Sequence, residues 1–249
     1  MDIESLKKVL KAAGIEPMEA VDILRREGLD DLGFSVVDSG RGDRQALPEV
    51  VFGEGKTCEQ IVAITGALFK RTGLAIVSRV PDKAGSLLEK NFPSGTLFNL
   101  SRMFVLGEYS GTFSSDESVV IVTGGTSDLP VAEEAEVILK TIGVSVKLIA
   151  DVGVAGIHRL SNVLPEILSA SVCIACAGMD AALVSVLGGL FPGPVIAVPV
   201  STGYGAAMSG FTALFSSLSS CSPGVTVVNI DNGLGAAAGA LRILKRNFL

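Results

Sequence analysis

His158 is the only histidine in this 249-residue chain, and it stands beside Arg159 at the end of Asp151-Val-Gly-Val-Ala-Gly-Ile-His-Arg159. An imidazole can hold or move a proton near neutral pH. A guanidinium can grip a phosphate or carboxylate through two parallel hydrogen bonds. Asp180, in Ala177-Gly-Met-Asp180, falls at a helix start. It reads either as an N-terminal carboxylate favoured by the helix dipole, or as a base or ribose-hydroxyl partner. Of the four cysteines, Cys173 and Cys176 lie three apart within an apolar strand. They face opposite sides and read as core, not as a shared metal site. Cys58, near a helix start, also reads as silent. Cys221 differs, because Ser219-Ser-Cys-Ser-Pro-Gly224 is a polar turn. A partly exposed thiol there, near His158 or an arginine, can serve as a thiolate nucleophile. The segment precedes a strand, however, which places it at the sheet edge opposite a ligand rim. In an oligomer a neighbouring subunit can supply it.

The elements that must position these groups recur regularly from residue 119 on. Apolar strands over 119–123, 145–149, 171–176, 194–199 and 225–229 alternate with helix-like runs over 129–142, 158–169, 180–190, 205–219 and 234–247. That alternation predicts parallel βαβ units in an open α/β sheet with helices on both faces. Ligands on such sheets lie beyond the carboxyl ends of the strands. Each strand is followed by a loop that carries glycine. In the first, Gly124 and Gly125 permit a tight turn, and Thr126, Ser127 and Asp128 are suitable N-caps for the run that follows. A helix start reached through glycines favours anions, so a phosphate is expected there, although any strand-turn-helix unit needs glycines and a cap. The third loop contributes Gly178 and Met179 beside Asp180. The fourth, Ser201-Thr-Gly-Tyr-Gly205, contributes Gly203, Tyr204 and Gly205, and the fifth is Asn229-Ile-Asp-Asn-Gly-Leu-Gly235. Five such loops on one rim predict a nucleotide-shaped site.

The first half has another character. Residues 1–115 hold 30 of the charged side chains and residues 116–249 hold 16, with the turn-rich Gly111-Thr-Phe-Ser-Ser-Asp-Glu-Ser118 between them. This places a domain boundary near 115, with a small α+β domain over 1–115 and the α/β domain over 116–249. The N-terminal part reads as two short amphipathic helices and strands at Phe34–Val37, Glu49–Phe52, Leu74–Ser78 and Met103–Leu106. Helices are expected from a Thr57/Gln60 capping box to Phe69, and over Lys83–Lys90. Asp38-Ser-Gly-Arg-Gly-Asp-Arg44 reads as a charged flexible loop. Gly53-Glu-Gly-Lys-Thr57 loosely resembles a phosphate loop without its full spacing. Both are either solvated loops or the means by which Arg44 and Lys56 grip an anionic substrate from above the second domain.

A net charge of −6 with pI near 4.9 argues against nucleic-acid and anionic-membrane partners. No charged residue occurs between Asp180 and Asp231, but Pro192, Pro194, Pro199 and several glycines cut that stretch into pieces too short to span a bilayer. It reads as a core buried once by the fold and again by subunit contacts. With no signal-peptide pattern and four cysteines, a reducing, cytoplasmic setting is expected.

Gly125-Thr-Ser-Asp128, Ala135, Leu139, Gly143, Gly156-Ile-His-Arg159 and Ala177-Gly178 resemble the AIR carboxylase fold of purine biosynthesis. That family has serine-alanine before its His-Arg, where this chain has Gly156-Ile157, and it lacks the N-terminal half. A resemblance over nearly the whole chain is to the LarB family of nickel-pincer cofactor synthesis proteins. It is carried by Asp31-Leu-Gly-Phe-Ser-Val-Val-Asp38, Gly53-Glu-Gly-Lys-Thr57, Asp151–Arg159, Gly203-Tyr-Gly205 and Val228-Asn-Ile-Asp-Asn-Gly233. This resemblance implies an AIR carboxylase-like parallel sheet preceded by a small α+β domain. It implies an octamer that carboxylates the pyridinium ring of nicotinic acid adenine dinucleotide and cleaves its phosphoanhydride to release AMP. It puts the family's nucleophilic cysteine on Cys221 and suggests Asp180 as the base, where members tend to carry glutamate. His158 and Arg159 would then handle carbon dioxide or the substrate carboxylate. The loops at 124–128 and 203–205 would hold phosphate. No tightly bound cofactor is implied. Carbon dioxide or bicarbonate is the co-substrate, and Mg²⁺ is a candidate aid to anhydride cleavage, with no dedicated ligand cluster in view. Two other readings stay open at this point: an AIR carboxylase or mutase with an extra domain, and a non-catalytic dinucleotide sensor.

Overall fold

The computed structural model describes residues 9–14, 16, 29–38, 40–109 and 117–244, without the side chains of residues 29, 30, 43 and 44. Most of the expected N-terminal helical pair and of the interdomain turn lies outside the described residues; residues 9–12, at the end of the first expected helix, are helical. Within them the N-terminal part holds β1 (Leu29–Asp31), β2 (Val36–Asp38), α1 (Arg41–Gln45), β3 (Val50–Phe52), α2 (Cys58–Thr72), β4 (Leu74–Ser78), α3 (Asp82–Asn91), β5 (Thr96–Phe98) and β6 (Met103–Gly107). The C-terminal part holds β7 (Ser118–Thr123), α4 (Leu129–Thr141), β8 (Ser145–Ile149), α5 (Ile157–Leu168), β9 (Val172–Ala177), α6 (Ala182–Leu190), β10 (Val195–Pro199), α7 (Phe211–Leu218), β11 (Val225–Val227) and α8 (Gly233–Leu244).

The C-terminal strands form one parallel sheet in the order β11-β10-β9-β7-β8. This is a doubly wound arrangement whose chain reverses direction across the sheet between β7 and β9. A crevice opens at such a switch point, beyond the strand ends. The N-terminal sheet is mixed, in the order β3-β4-β6-β5, with only β3 and β4 parallel.

The alternation of side chains along each strand sorts the molecule into five layers. Ala75, Val77, Phe104 and Leu106 pack under α2 and α3. Leu74, Ile76 and Met103, from the other face of that sheet, join a cluster built from α4 and α8. Val119, Ile121, Ile174 and Cys176 close the same cluster from beyond those helices. Val120, Val122, Cys173 and Ala175 point the opposite way, onto α5, α6 and α7. Cys173 and Cys176 thus serve opposite faces of β9, as a spacing of three on a strand requires. Leu241 and Ile138 are wholly buried in the shared cluster, and truncating either to alanine would cost about 2–5 kcal/mol.

Several elements depart from the sequence reading. The stretch read as a flexible loop over Asp38–Arg44 contains the one-turn helix α1, ended by Ala46 in a left-handed conformation. The short strands β1 and β5 lack a clear alternation and were not anticipated. The run expected to be one helix over 205–219 is split. A 3-10 turn over Gly205–Gly210 has Met208 and Ser209 at positive φ, and α7 starts only at Phe211. The Thr57 capping box is formed in both directions: the Gln60 amide donates to Thr57 Oγ1 at 3.2 Å, and the Thr57 amide donates to Gln60 Oε1 at 3.0 Å. Among the described residues no helix is long and apolar enough to cross a membrane.

Candidate active site

The glycine turn after β7 is organised by a buried carboxylate. Asp128 is 4% exposed, and its Oδ2 accepts the Gly125 amide at 2.9 Å. The amides of Gly124 and Gly178 also face it. Burial holds the Asp128 carboxyl above the usual carboxylate range. Those three amides work against the shift, and the charge of Asp231 adds to it. The Gly124 amide also donates to the Cys176 carbonyl at 3.0 Å. The first two amides of the turn are engaged by the chain itself, and the turn presents a buried carboxylate.

Around this carboxylate lies a cavity of about 330 Å³ at the switch point. Gly124, Gly125, Ser127 and Asp128 form one wall. Gly153, Val154 and Ala155 form a second, and Gly178, Met179 and Asp180 with Thr202 form a third. The walls are pinned to each other by backbone. The Gly153 amide donates to the Gly124 carbonyl at 2.8 Å, and the Met179 amide to the Thr202 carbonyl at 3.0 Å. The approach is close enough that a Cβ at Gly178 would stand 2.3 Å from the Thr202 carbonyl oxygen. Met179 and Ala181 both take positive φ, a strained conformation for residues with side chains and one that clusters at functional sites. Asp180 is exposed at the cavity wall, and its Oδ1 accepts the Ala182 amide at 3.2 Å. It thus fills both of its expected places, at the helix start and on the rim.

Other expected residues stand outside the cavity lining. Arg159 makes a 2.5 Å ion pair with Asp151 Oδ2 on the adjoining loop, and His158 is exposed at the start of α5. Thr126, Gly203, Tyr204 and Gly205 do not line it, and Tyr204 is 81% exposed. Lys56 turns its Nζ to the Phe52 carbonyl at 2.8 Å. Arg44 lies in α1, and its side chain is outside the described residues. Cys221 is exposed, on the turn between α7 and β11, at the end of the parallel sheet away from the cavity. Its neighbours are tied down: Ser220 Oγ meets Ser185 Oγ at 2.8 Å, and Ser222 Oγ donates to the Ser185 carbonyl at 2.8 Å. Of the other thiols, burial pushes Cys173 up to about 12 and Cys176 well above the ordinary thiol value, which removes both as thiolates at neutral pH.

Two arginines went unremarked in the sequence. Arg79 follows β4, and Arg102 precedes β6; the antiparallel pairing of those strands sets the two turns side by side, with the Val80 amide on the Arg102 carbonyl at 2.8 Å. Arg79 reaches across to the C-terminal rim, donating to the Asp231 carbonyl at 2.7 Å. No spacing rule picks out these arginines, because their proximity is created by strand pairing.

The doubly wound sheet and its glycine-walled cavity are those of an AIR carboxylase-type domain. Residues 118–247 match the AIR carboxylase family, and residues 29–108 match the LarB/PurE-like N-terminal domain. The chain belongs to this LarB/PurE-like family of carboxylase- and mutase-type enzymes. It is 38% identical over 221 residues to an uncharacterized protein of Methanocaldococcus jannaschii, covering 84% of this chain and 83% of that one. It is 43% identical over 131 residues to the N5-carboxyaminoimidazole ribonucleotide mutase of the same organism, covering 51% of this chain and 78% of the mutase. A crystal structure of a PurE2 variant from Treponema denticola aligns with a TM-score of 0.43 and 24% identity, covering 53% of this chain and 83% of that one.

Proposed function

We propose that this protein carboxylates carbon 5 of the pyridinium ring of nicotinic acid adenine dinucleotide and hydrolyses its phosphoanhydride, giving pyridinium-3,5-biscarboxylic acid mononucleotide and AMP. The observation that carries this reading is the coexistence of a glycine-walled rim cavity with one solvent-exposed thiol, Cys221, in a two-part LarB/PurE-like chain. A PurE-type mutase needs no such thiol for its chemistry, whereas an electron-poor pyridinium ring does.

The Cys221 thiolate adds to carbon 4, para to nitrogen, forming a carbon–sulfur bond and placing an enamine across carbons 5 and 6. Carbon 5 then attacks carbon dioxide. A base takes the proton from carbon 5, the carbon–sulfur bond breaks, and the ring regains aromaticity with the thiolate released. Asp180 would receive that proton, since it stands at the cavity wall with its Oδ1 held by the Ala182 amide. Arg159 and His158, in the first turn of α5, would receive the substrate carboxylate or carbon dioxide. Hydrolysis adds water across the anhydride, and Mg²⁺ entering with the phosphates would neutralise their charge.

Within one chain Cys221 and the cavity occupy opposite ends of the sheet, so the reading requires a second copy to deliver the thiol. An apolar band is available for that contact, because Met208, Phe211, Phe215 and Leu218 are all exposed along the 3-10 turn and α7. Assembly into the octamer expected of the family fits this band.

The test is mass spectrometry of the full chain incubated with the dinucleotide and bicarbonate. An adduct is expected on the Cys221 peptide, and Cys221→Ser should abolish product while the fold survives. Mixing Cys221→Ser with Asp180→Ala subunits should restore activity in shared sites. Undiminished carboxylation by the Cys221→Ser protein overturns the covalent route. Turnover of aminoimidazole ribotide instead would establish the mutase reading.

A further inference from the structure

The helix α6 runs Ala182-Leu-Val-Ser-Val-Leu-Gly-Gly-Leu190, and Ser185 is its one polar side chain. A hydroxyl on an otherwise apolar helix seeks a partner wherever that helix is packed. Ser185 meets a single turn through both its hydroxyl and its carbonyl. Its Oγ stands 2.8 Å from Ser220 Oγ, and its carbonyl accepts the Ser222 hydroxyl at 2.8 Å. The Ser222 amide in turn donates to Ser220 Oγ at 3.2 Å. Cys221 is therefore the one residue between two serines fastened to the same point of α6. We infer that Ser185 and Ser222 are positioning residues for the Cys221 thiol, fixing the direction from which it meets the pyridinium ring.

Two further observations support it. First, the helix is cut away beneath this turn. An alanine Cβ at Gly188 would lie 2.8 Å from Ser222 Cβ and 2.7 Å from Val225 Cγ2. Residue 188 is one turn on from Ser185 and shares its face. Glycine weakens a helix interior, so Gly188 at this place serves the close approach of the turn. Second, the segment leading into Cys221 is held from another element. The Ser219 amide donates to the Phe215 carbonyl at 3.0 Å and the Ser220 amide to the Ser217 carbonyl at 3.4 Å. The buried Ser217 hydroxyl donates to the Ala213 carbonyl at 2.8 Å. Thus α7 fixes the chain before Cys221 and α6 fixes it after, while Cys221 itself stays exposed. A thiol that must add to one ring carbon needs such a fixed trajectory, since a misplacement near 1 Å can cost on the order of 100-fold in rate.

The clamp also shares an element with the rim cavity. Ala182 and Leu183, in the first turn of α6, line that cavity. One helix therefore carries part of a subunit's own cavity wall and the anchor of the thiol that the subunit would lend to another copy. Neither Ser185 nor Ser222 lines the cavity, so both act through Cys221. This inference rests on the covalent reading above, and its test separates the two.

The full-length protein carrying Ser185→Ala and Ser222→Ala together is mixed with nicotinic acid adenine dinucleotide and bicarbonate, and the Cys221 adduct is followed in time by mass spectrometry. Alkylation of Cys221 by iodoacetamide is timed separately. Adduct formation and kcat should fall by roughly ten- to a hundredfold, with KM near the parent value. Alkylation should hardly change, because a small reagent needs no fixed trajectory. Ser185→Thr keeps the hydroxyl and should turn over several times faster than Ser185→Ala. Ser222→Ala alone removes one hydrogen bond and should give a smaller loss of the same kind, which keeps the test valid if the double variant fails to fold. Adduct formation at the parent rate, or alkylation changing in step with it, overturns the assignment. A fully active double variant beside an inactive Cys221→Ser protein overturns this assignment alone, whereas an active Cys221→Ser protein overturns the covalent reading with it.

Discussion

The Gly178→Ala variant tests whether the rim depends on close backbone approach. An alanine Cβ at this position would lie 2.3 Å from the Thr202 carbonyl oxygen and 3.1 Å from Thr202 Cβ. Ordinary contact begins near 3.4 Å, so the loops must separate by 3.4 − 2.3 = 1.1 Å. The nearest atom is backbone, so rotation of a flexible side chain cannot relieve the overlap. The separation also loads the Met179–Thr202 hydrogen bond, which starts at 3.0 Å. Overpacking of this kind costs about 1–3 kcal/mol. In a chain of this size each kcal/mol lowers Tm by roughly 2–4 °C, so a fall of about 2–12 °C is expected. Thr202 lines the rim cavity, and a displacement near 1 Å can cost on the order of 100-fold in turnover. Thermal melting followed by circular dichroism reports the first effect. Steady-state product formation at saturating dinucleotide reports the second. A variant that melts and turns over like the parent protein would refute the claim that these loops are held at contact distance.

Two further outcomes follow from the structure. The Asp128 carboxyl is raised by burial, so the folded protein holds its proton more tightly than the unfolded chain. The stability it contributes is complete below the ordinary value of 3.8 and is lost as pH rises through the folded value. The Tm of the parent protein minus that of Asp128→Asn should therefore fall as pH is raised from about 4 to neutrality; a flat or rising difference is the contrary result. Phe211 and Phe215, whose rings lie 6.1 Å apart on the exposed side of α7, should bury against a second copy. Phe215→Glu is expected to shift the species measured by light scattering toward lower mass at micromolar concentration, and an unchanged mass would exclude this face from the contact.

The central strands β7, β9 and β10 were legible because they are buried on both faces and read as apolar runs, and the edge strands β8 and β11, partly exposed, followed from the regular alternation with helices. Val119–Thr123 and Ser145–Ile149 need no tertiary information to be recognised. The Thr57/Gln60 capping box is equally local. What escaped was non-local or compensated. Arg79 and Arg102 are 23 positions apart and meet only through β4–β6 pairing. Asp128 reads as a helix cap, yet its side chain turns back to Gly125 and across to Gly178, a choice fixed by burial. The break at Met208 and Ser209 is hidden because neither residue favours positive φ on its own. Lys56 suggested an anion grip by its setting between glycines, and its ammonium instead closes onto its own strand.

The cluster around Ile138 and Leu241 acts as a party wall. Leu74, Ile76 and Met103 lean on it from one side, and Val119 and Ile174 from the other. Each half of the chain therefore lacks a complete interior of its own. Separating them at the interdomain turn would uncover the wall in both pieces, so the two halves should melt together as one unit. Substitutions in β4 would then be felt as small changes in where Arg79 meets the rim.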